Sequence, residues 1–276
     1  MNPQDFIDER IQDSVWETKI PLKIEMSDKD LISGNKPLTL YFSLPRTSYI
    51  VSIYPDLIKA FENCVSAKLP DLWLNYNNIP IKWQYPLGVL VDSLGIDINH
   101  GPVLLKVRVR EMPNDQVLKC ESVNSLKEYV SQALKEADVL KHPLGKPYIR
   151  AEIKLTDKMK QIFYENDPKN ITEWRKIMKS IEERDQEIKK YPTKLIFCKT
   201  ELILTKPALI PHGEEKNYSI GKYLSDVLSP NTYESLKKKC RVLVHGLEIE
   251  EDMQYLFYYY NFCYMDNFLY VVFQTK

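Results

Sequence analysis

Few residues in this chain have the type and setting to do chemistry. The stretch ALKEADVLKH, positions 133 to 142, sets Lys135 among carboxylates on the polar side of a helical pattern. Such an amine is a nucleophile once deprotonated, yet a lysine in water, with a pKa of about 10.4, is nearly all ammonium at neutral pH. Glu136 and Asp138 beside it favour the charged form, so no self-activated lysine is expected. The five cysteines, Cys64, Cys120, Cys198, Cys240 and Cys263, are widely spaced and mostly in apolar surroundings, and read as reduced core thiols. Cys240, which follows LKKK, is the best placed of them to serve as the nucleophile of a cysteine enzyme. His100, His142, His212 and His245 stand singly, with no spacing that makes a zinc site. There is no G-x-x-x-x-G-K-[ST] or G-x-G-x-x-G phosphate loop, no G-x-S-x-G elbow, no H-E-x-x-H pair and no kinase signature set. No metal or cofactor is therefore expected. What is left is binding, scaffolding or the acceptance of a modifier.

The elements that must position these groups come from a chain of 276 residues, enough for about two domains or a few smaller ones. Hydrophobic residues make up 44% and charged ones 28%, and 38 basic residues balance 38 acidic ones, which argues against a dedicated nucleic-acid binder. Apolar runs such as LYVVF fall far short of the roughly 20 residues that cross a bilayer. The acidic opening MNPQDFIDERIQD predicts no secretory leader.

Local patterns divide the chain. After an N-terminal helical segment at 1–14, alternating strands over VWETKIPLKIEM and LTLYFSL precede a helix over PDLIKAFENCVSAK, where Pro55 suits the first turn. LWLNYNNIPIKW reads as a hairpin around Asn77 and Asn78, PLGVLVDSL as a short apolar helix and VLLKVRVR as a closing strand. From 118 to 190 the pattern is helical. Ser125 and Glu128 form a capping box, and Leu126, Tyr129, Val130, Ala133, Leu134 and Ala137 recur at helical spacing. Lys135, five residues past Val130, points about 140° from the apolar centre and should reach water. TDKMKQIFYEN and ITEWRKIMKSIEERDQEIKK predict two further helices, the latter capped by Asn170 and Glu173. Strands return over KLIFCKTELIL, followed by a helix over SIGKYLSDVL, the strand RVLVHG, an aromatic run DMQYLFYYYNFCY and the strand FLYVVFQ. This repeats the order of elements in the first 110 residues. The fold class expected is α+β, with two ubiquitin-like β-grasp domains, 15–110 and 194–276, flanking a helix-rich domain at 118–190. The chain ends in FQTK, so these domains would not be conjugated through a C-terminal Gly-Gly.

VWETKIPLKI, LPRTSYI, LWLNYNNIPIKWQYPLG, LKEADVLKH and DNFLYVVF, taken in this order, resemble the autophagy protein 5 family across almost the full length, more weakly between about 143 and 240. The resemblance implies the same three-part fold and a noncatalytic scaffold. It implies that Lys135, in the KEAD string, accepts the C-terminal glycine of the ubiquitin-like modifier autophagy protein 12 in an isopeptide bond. It further implies a coiled-coil partner, autophagy protein 16, and the E2 enzymes of two conjugation systems. The conjugate would act like an E3 ligase, promoting transfer of autophagy protein 8 from its E2 thioester to phosphatidylethanolamine. A cytoplasmic protein recruited to the pre-autophagosomal membrane is expected on the same ground. The alternative is an adaptor that binds the coiled coil without being conjugated.

Two sets of residues are further candidates. Arg46, after Pro45 at the end of an apolar strand, is expected to project from the sheet edge toward an acidic side chain of the coiled-coil partner. Between Lys135 and Lys160 basic residues outnumber acidic ones, and Lys141, Lys146 and Arg150 are candidates for contact with an anionic membrane surface, at about 1 kcal/mol per basic residue near lipid. The aromatic run is assigned to the core of the second small roll.

Overall fold

The structure, a computed structural model, describes residues 3–31, 39–64, 72–120, 123–165, 167–182, 188, 190–198 and 202–276. Its chain opens with a 3-10 turn and helix α1 (Glu9–Glu17), started by the Asp8 carboxylate, which accepts from the backbone N–H of Arg10 and Ile11. Val15 and Trp16, expected in the first strand, belong to this helix, and strand β1 (Lys19–Met26) begins only after Thr18. Then come β2 (Leu40–Pro45), α2 (Tyr54–Phe61), β3 (Trp73–Tyr76), β4 (Ile79–Pro80), α3 (Leu87–Ser93) and β5 (Val103–Arg108). The expected continuation of α2 to residue 68 runs into 65–71, outside the described residues.

These strands form one sheet in the order β2-β1-β5-β3-β4, with β1 and β5 parallel and the other pairs antiparallel. Asn77 and Asn78, at φ 49° and 66°, make the two-residue turn between β3 and β4 that their side chains tolerate. β1 alternates buried and half-exposed residues, as a sheet with one wet face requires.

The helical part comprises α4 (Val123–Lys141), α5 (Ile153–Glu165) and α6 (Ile171–Glu182). α4 already includes Val123, so Ser125 lies within its first turn instead of capping it, and residues 121–122 are outside the described ones. The expected continuation of α6 runs into 183–187 and 189, likewise outside them.

The second sheet, β7-β6-β10-β8-β9, repeats the first strand for strand: β6 (Thr193–Phe197), β7 (Leu202–Thr205), β8 (Cys240–Val244), β9 (Leu247–Glu248) and β10 (Leu269–Thr275), with β6 parallel to β10. Helix α7 (Ile220–Leu228) takes the place of α2, and α9 (Tyr255–Phe262) is the aromatic run. Between them lies α8 (Pro230–Lys239), which no apolar pattern announces, although Ser229 accepts from the Thr232 N–H and Pro230 opens it. Tyr255, Leu256, Tyr259 and Phe262 of α9 are buried in the core, where the sequence placed them.

The parts are sewn together by the N-terminus and by aromatic contacts. Asn261 donates to the Phe6 carbonyl at 2.7 Å and accepts from the Asp8 N–H at 2.8 Å, tying α9 to the segment before α1. Trp16 meets Trp174 of α6 with ring centroids 6.4 Å apart, and Arg175 pairs with Asp13 at 2.9 Å. One face of the second sheet is covered from within the chain: Ile196, Leu243, Tyr270 and Val272 pack with Val89 of α3 and Ala137 of α4.

Candidate functional site

α4 is the element that carries the candidate amine. Leu126, Val130, Ala133, Leu134 and Ala137 are buried along one side, and Trp83 of the first domain meets Tyr129 edge-on at 5.8 Å. A stripe anchored over this length fixes the rotation of the helix, so its opposite side faces water. Lys135 is on that side, exposed, and among the described residues it makes no hydrogen bond or ion pair. That is the arrangement an amine needs to enter another protein's active site.

The neighbours of Lys135 do not behave as expected. Glu136 stands 3.8 Å from Lys194 of β6, whose ammonium is almost fully buried and lies 3.9 Å from the centroid of the Phe268 ring. Asp138 is buried, and its carboxylate accepts from the backbone N–H of Tyr148 at 3.0 Å and of Ile149 at 3.2 Å. Burial raises its pKa against the pull of those two N–H groups and of His142 and Lys141. Asp138 lies at the edge of the apolar stripe, between Leu134 and Lys135 around the helix, and it is the following loop that covers it.

Arg46 does not project from the sheet edge. It is 5% exposed, and its guanidinium bonds the Asp92 carboxylate of α3 at 2.5 Å and the Gly88 carbonyl at 3.2 Å. Burial raises the pKa of Asp92, while Arg46 and the Gly246 N–H hold it down. A Cβ at Gly246 would sit 3.1 Å from that guanidinium, so the pair reaches the turn between β8 and β9 and belongs to the junction of the two domains. Arg46, just past the end of β2, turns inward because Asp92 offers a buried carboxylate there.

Lys141 is also displaced from its expected place. It is 4% exposed, with its ammonium over the Tyr259 ring at 5.6 Å, and so cannot lie on a membrane surface. Of the basic residues expected at that surface, Arg150 is exposed and Lys146 half-buried, and Lys154 beside them is exposed. Lys158 and Lys160 pair with Glu173 and Asp157. Leu144 and Ile153 are exposed among them, at 82% and 78%.

Cys240 is half-buried at the start of β8, and burial pushes the neighbouring Cys198 thiol up to about 11, away from thiolate chemistry at neutral pH. Among the described residues no group of His, Cys, Asp and Glu is placed to hold a metal ion, and no helix is long and apolar enough to cross a membrane. A cavity of about 210 Å³ opens between the two sheets, lined by Ile79, Tyr85 and Leu90 of the first domain and Ile196, Phe197 and Ile203 of the second. No sequence pattern announced it, because each domain contributes only one wall.

Two β-grasp sheets of the same strand order around a helical region, with an unpaired lysine on the central helix, define a protein built from ubiquitin-like domains. Family models described as autophagy protein ATG5, UblA domain, and autophagy protein ATG5, UblB domain, match residues 15–111 and 190–273. Autophagy-related protein 5 of Caenorhabditis elegans is 27% identical over 275 residues, 94% of this chain and 95% of that protein. Autophagy protein 5 of Drosophila melanogaster is 33% identical over 137 residues, 49% of this chain and 51% of its own. The crystal structure of Kluyveromyces marxianus Atg5 superposes with a TM-score of 0.78 over 97% of this chain and 100% of its own; at 16% identity this speaks for the fold alone. The chain belongs to the autophagy protein 5 family.

Proposed function

We propose that this chain is the noncatalytic scaffold of a conjugation system, with Lys135 as the acceptor of the ubiquitin-like modifier autophagy protein 12. The observation that carries this is the exposed, unpaired amine held on a helix whose other side is locked into the core. In the reaction the Lys135 nitrogen adds to the thioester carbonyl that joins the modifier's C-terminal glycine to its E2. The C–N bond forms and the C–S bond breaks. Two protons leave the nitrogen, one ending on the departing cysteine sulfur and one in solvent. The chain supplies only position and exposure, and the E2 must supply the base, because an ordinary lysine is almost wholly protonated at neutral pH.

With the coiled-coil partner autophagy protein 16, the conjugate promotes transfer of autophagy protein 8 to phosphatidylethanolamine. The apolar cavity between the two ubiquitin-like domains suits an amphipathic helix of that partner, its apolar side chains entering between Ile79 and Ile203. Arg150, with Lys146 and Lys154, is available to an anionic membrane surface, to which a cytoplasmic protein would be recruited. The same cavity favours a second reading, an adaptor that binds the coiled coil without conjugation, because it does not depend on Lys135.

The test is to combine wild type or Lys135→Arg with the activating enzyme, the E2 and the modifier, and read intact mass with peptide mapping. Conjugation of wild type at Lys135 and a bare, folded arginine variant is the expected result. Equal conjugation of both moves the acceptor to another lysine; conjugation of neither favours the adaptor.

A further inference from the structure

The four residues from Lys135 to Asp138 divide the circumference of α4 among them. At 100° per residue, Glu136 lies about 100° to one side of Lys135, Asp138 about 60° to the other, and Ala137 nearly opposite. The structure gives each direction a use. Ala137 is fully buried against the outer face of the second sheet, where its single methyl lets the helix approach closely. Glu136 turns toward β6 and Lys194. Asp138 turns toward the chain segment that follows the helix and accepts two of its N–H groups.

The Asp138 contact is not what helix energetics would choose. A carboxylate in the last turn meets the negative end of the helix dipole, and burying it costs hydration. A residue kept there against both effects is held for what it does to its surroundings. It closes the loop over 142–149 against α4, and it also withdraws the sole carboxylate within helical reach of Lys135: positions 131, 132 and 139 are Ser, Gln and Val.

We infer that Glu136 and Asp138 are positioning residues for Lys135: Glu136 holds the helix against the second domain through Lys194, and Asp138, drawn to the Tyr148 and Ile149 backbone, leaves the amine without a counter-ion. The inference rests on Lys135 being the acceptor. The role of Lys194 follows from it: a buried cation over Phe268 and Tyr270 that reaches across to the acceptor helix fixes its rotation against the second ubiquitin-like domain.

The experiment is single-turnover transfer from a pre-charged E2 thioester to the full chain, followed against chain concentration and against pH, with peptide mapping of the product. The variants are Glu136→Gln, Asp138→Asn, Asp138→Glu and Lys194→Met. Asp138→Asn is expected to lower the maximal rate roughly tenfold with the half-saturating concentration unchanged within about twofold, because a misaimed nucleophile reacts slowly even when docked. A variant that is merely less folded would instead lose melting temperature and require more protein for the same rate. Asp138→Glu, whose longer arm is freed toward Lys135, is expected to move the pH profile upward. Glu136→Gln and Lys194→Met break the same contact, so the double variant is expected to lose no more rate than Lys194→Met alone, which also strips the buried Asp266 of a nearby cation and is therefore read together with its melting temperature. Wild type conjugated at Lys135 with Asp138→Asn and Lys194→Met at wild-type rate and pH profile overturns this inference alone. Wild type left bare at Lys135 overturns the acceptor assignment and this inference with it.

Discussion

The two ubiquitin-like domains share one strand order and differ on their outer faces. On the first sheet, Lys23, Tyr41, Leu104 and Lys106 line that face, with Tyr41 67% and Leu104 39% exposed. On the second, Ile196, Leu243, Tyr270 and Val272 occupy it and are buried beneath α3 and α4. The same topology is thus a one-sided sheet in one half and a two-sided core layer in the other. What differs is whether alternate residues are polar, and that decides which domain can serve as the seat of the helical region. Helix α4 stands on the second domain because that is where an apolar face waits for Ala137.

The largest effect that would break this comparison lies at the junction. Arg46→Ala leaves the Asp92 carboxylate buried without its cation, and is expected to cost about 3–5 kcal/mol, read as a lower midpoint in chemical denaturation. A matched pair then tests the two faces directly. Leu243→Ala should cost about 2–5 kcal/mol, and Leu104→Ala, on the corresponding face of the first sheet, no more than about 0.5 kcal/mol. Equal losses would mean that the first face is also covered in solution.

The two hairpin turns sharpen the comparison through pH. Asn77–Asn78 in the first domain does not titrate, whereas the second turn is His245–Gly246, with His245 at φ 50°. Burial, with Arg46 nearby, pushes His245 down to about 3, so the folded imidazole stays neutral where the unfolded one gains a proton. Stability therefore falls as pH drops from about 6.5 toward 3, by about 1.4 kcal/mol per pH unit at most for this one group. His245→Asn, a residue at ease at positive φ, should flatten that acid limb by one proton, on top of a loss of stability at neutral pH from removing the ring stacked on Tyr264 and bonded to the Phe262 carbonyl; an unaltered slope would assign the limb to other groups. The smallest effect is at Lys135: Lys135→Arg should change stability by no more than about 0.5 kcal/mol in the same denaturation assay, since the side chain is exposed and makes no hydrogen bond or ion pair among the described residues.

Much of the fold was legible because its signals are local. The Asn-Asn turn, the alternation in β1, the apolar stripe of α4 and the doubled order of elements all follow from residues within a few positions of one another. Val15 and Trp16 were misassigned because a short alternating run fits either period, and the Asp8 cap four positions before Gln12 settled it as helix. α8 was missed because Tyr233 is the one buried residue of its ten, too few to make a stripe.

By itself the sequence determined that Lys135 faces water, since a 3.6-residue period needs no partner to set which side of a helix is apolar. It equally determined the order of strands and helices that builds two β-grasp units. Only the tertiary structure decided that Arg46 and Lys141 turn inward, that Asp138 clasps a loop, that Glu136 reaches Lys194 and that a cavity opens between the domains. Each of those depends on a charge, ring or N–H group brought close by folding from another element, and a long cation is exposed or buried according to what it finds there.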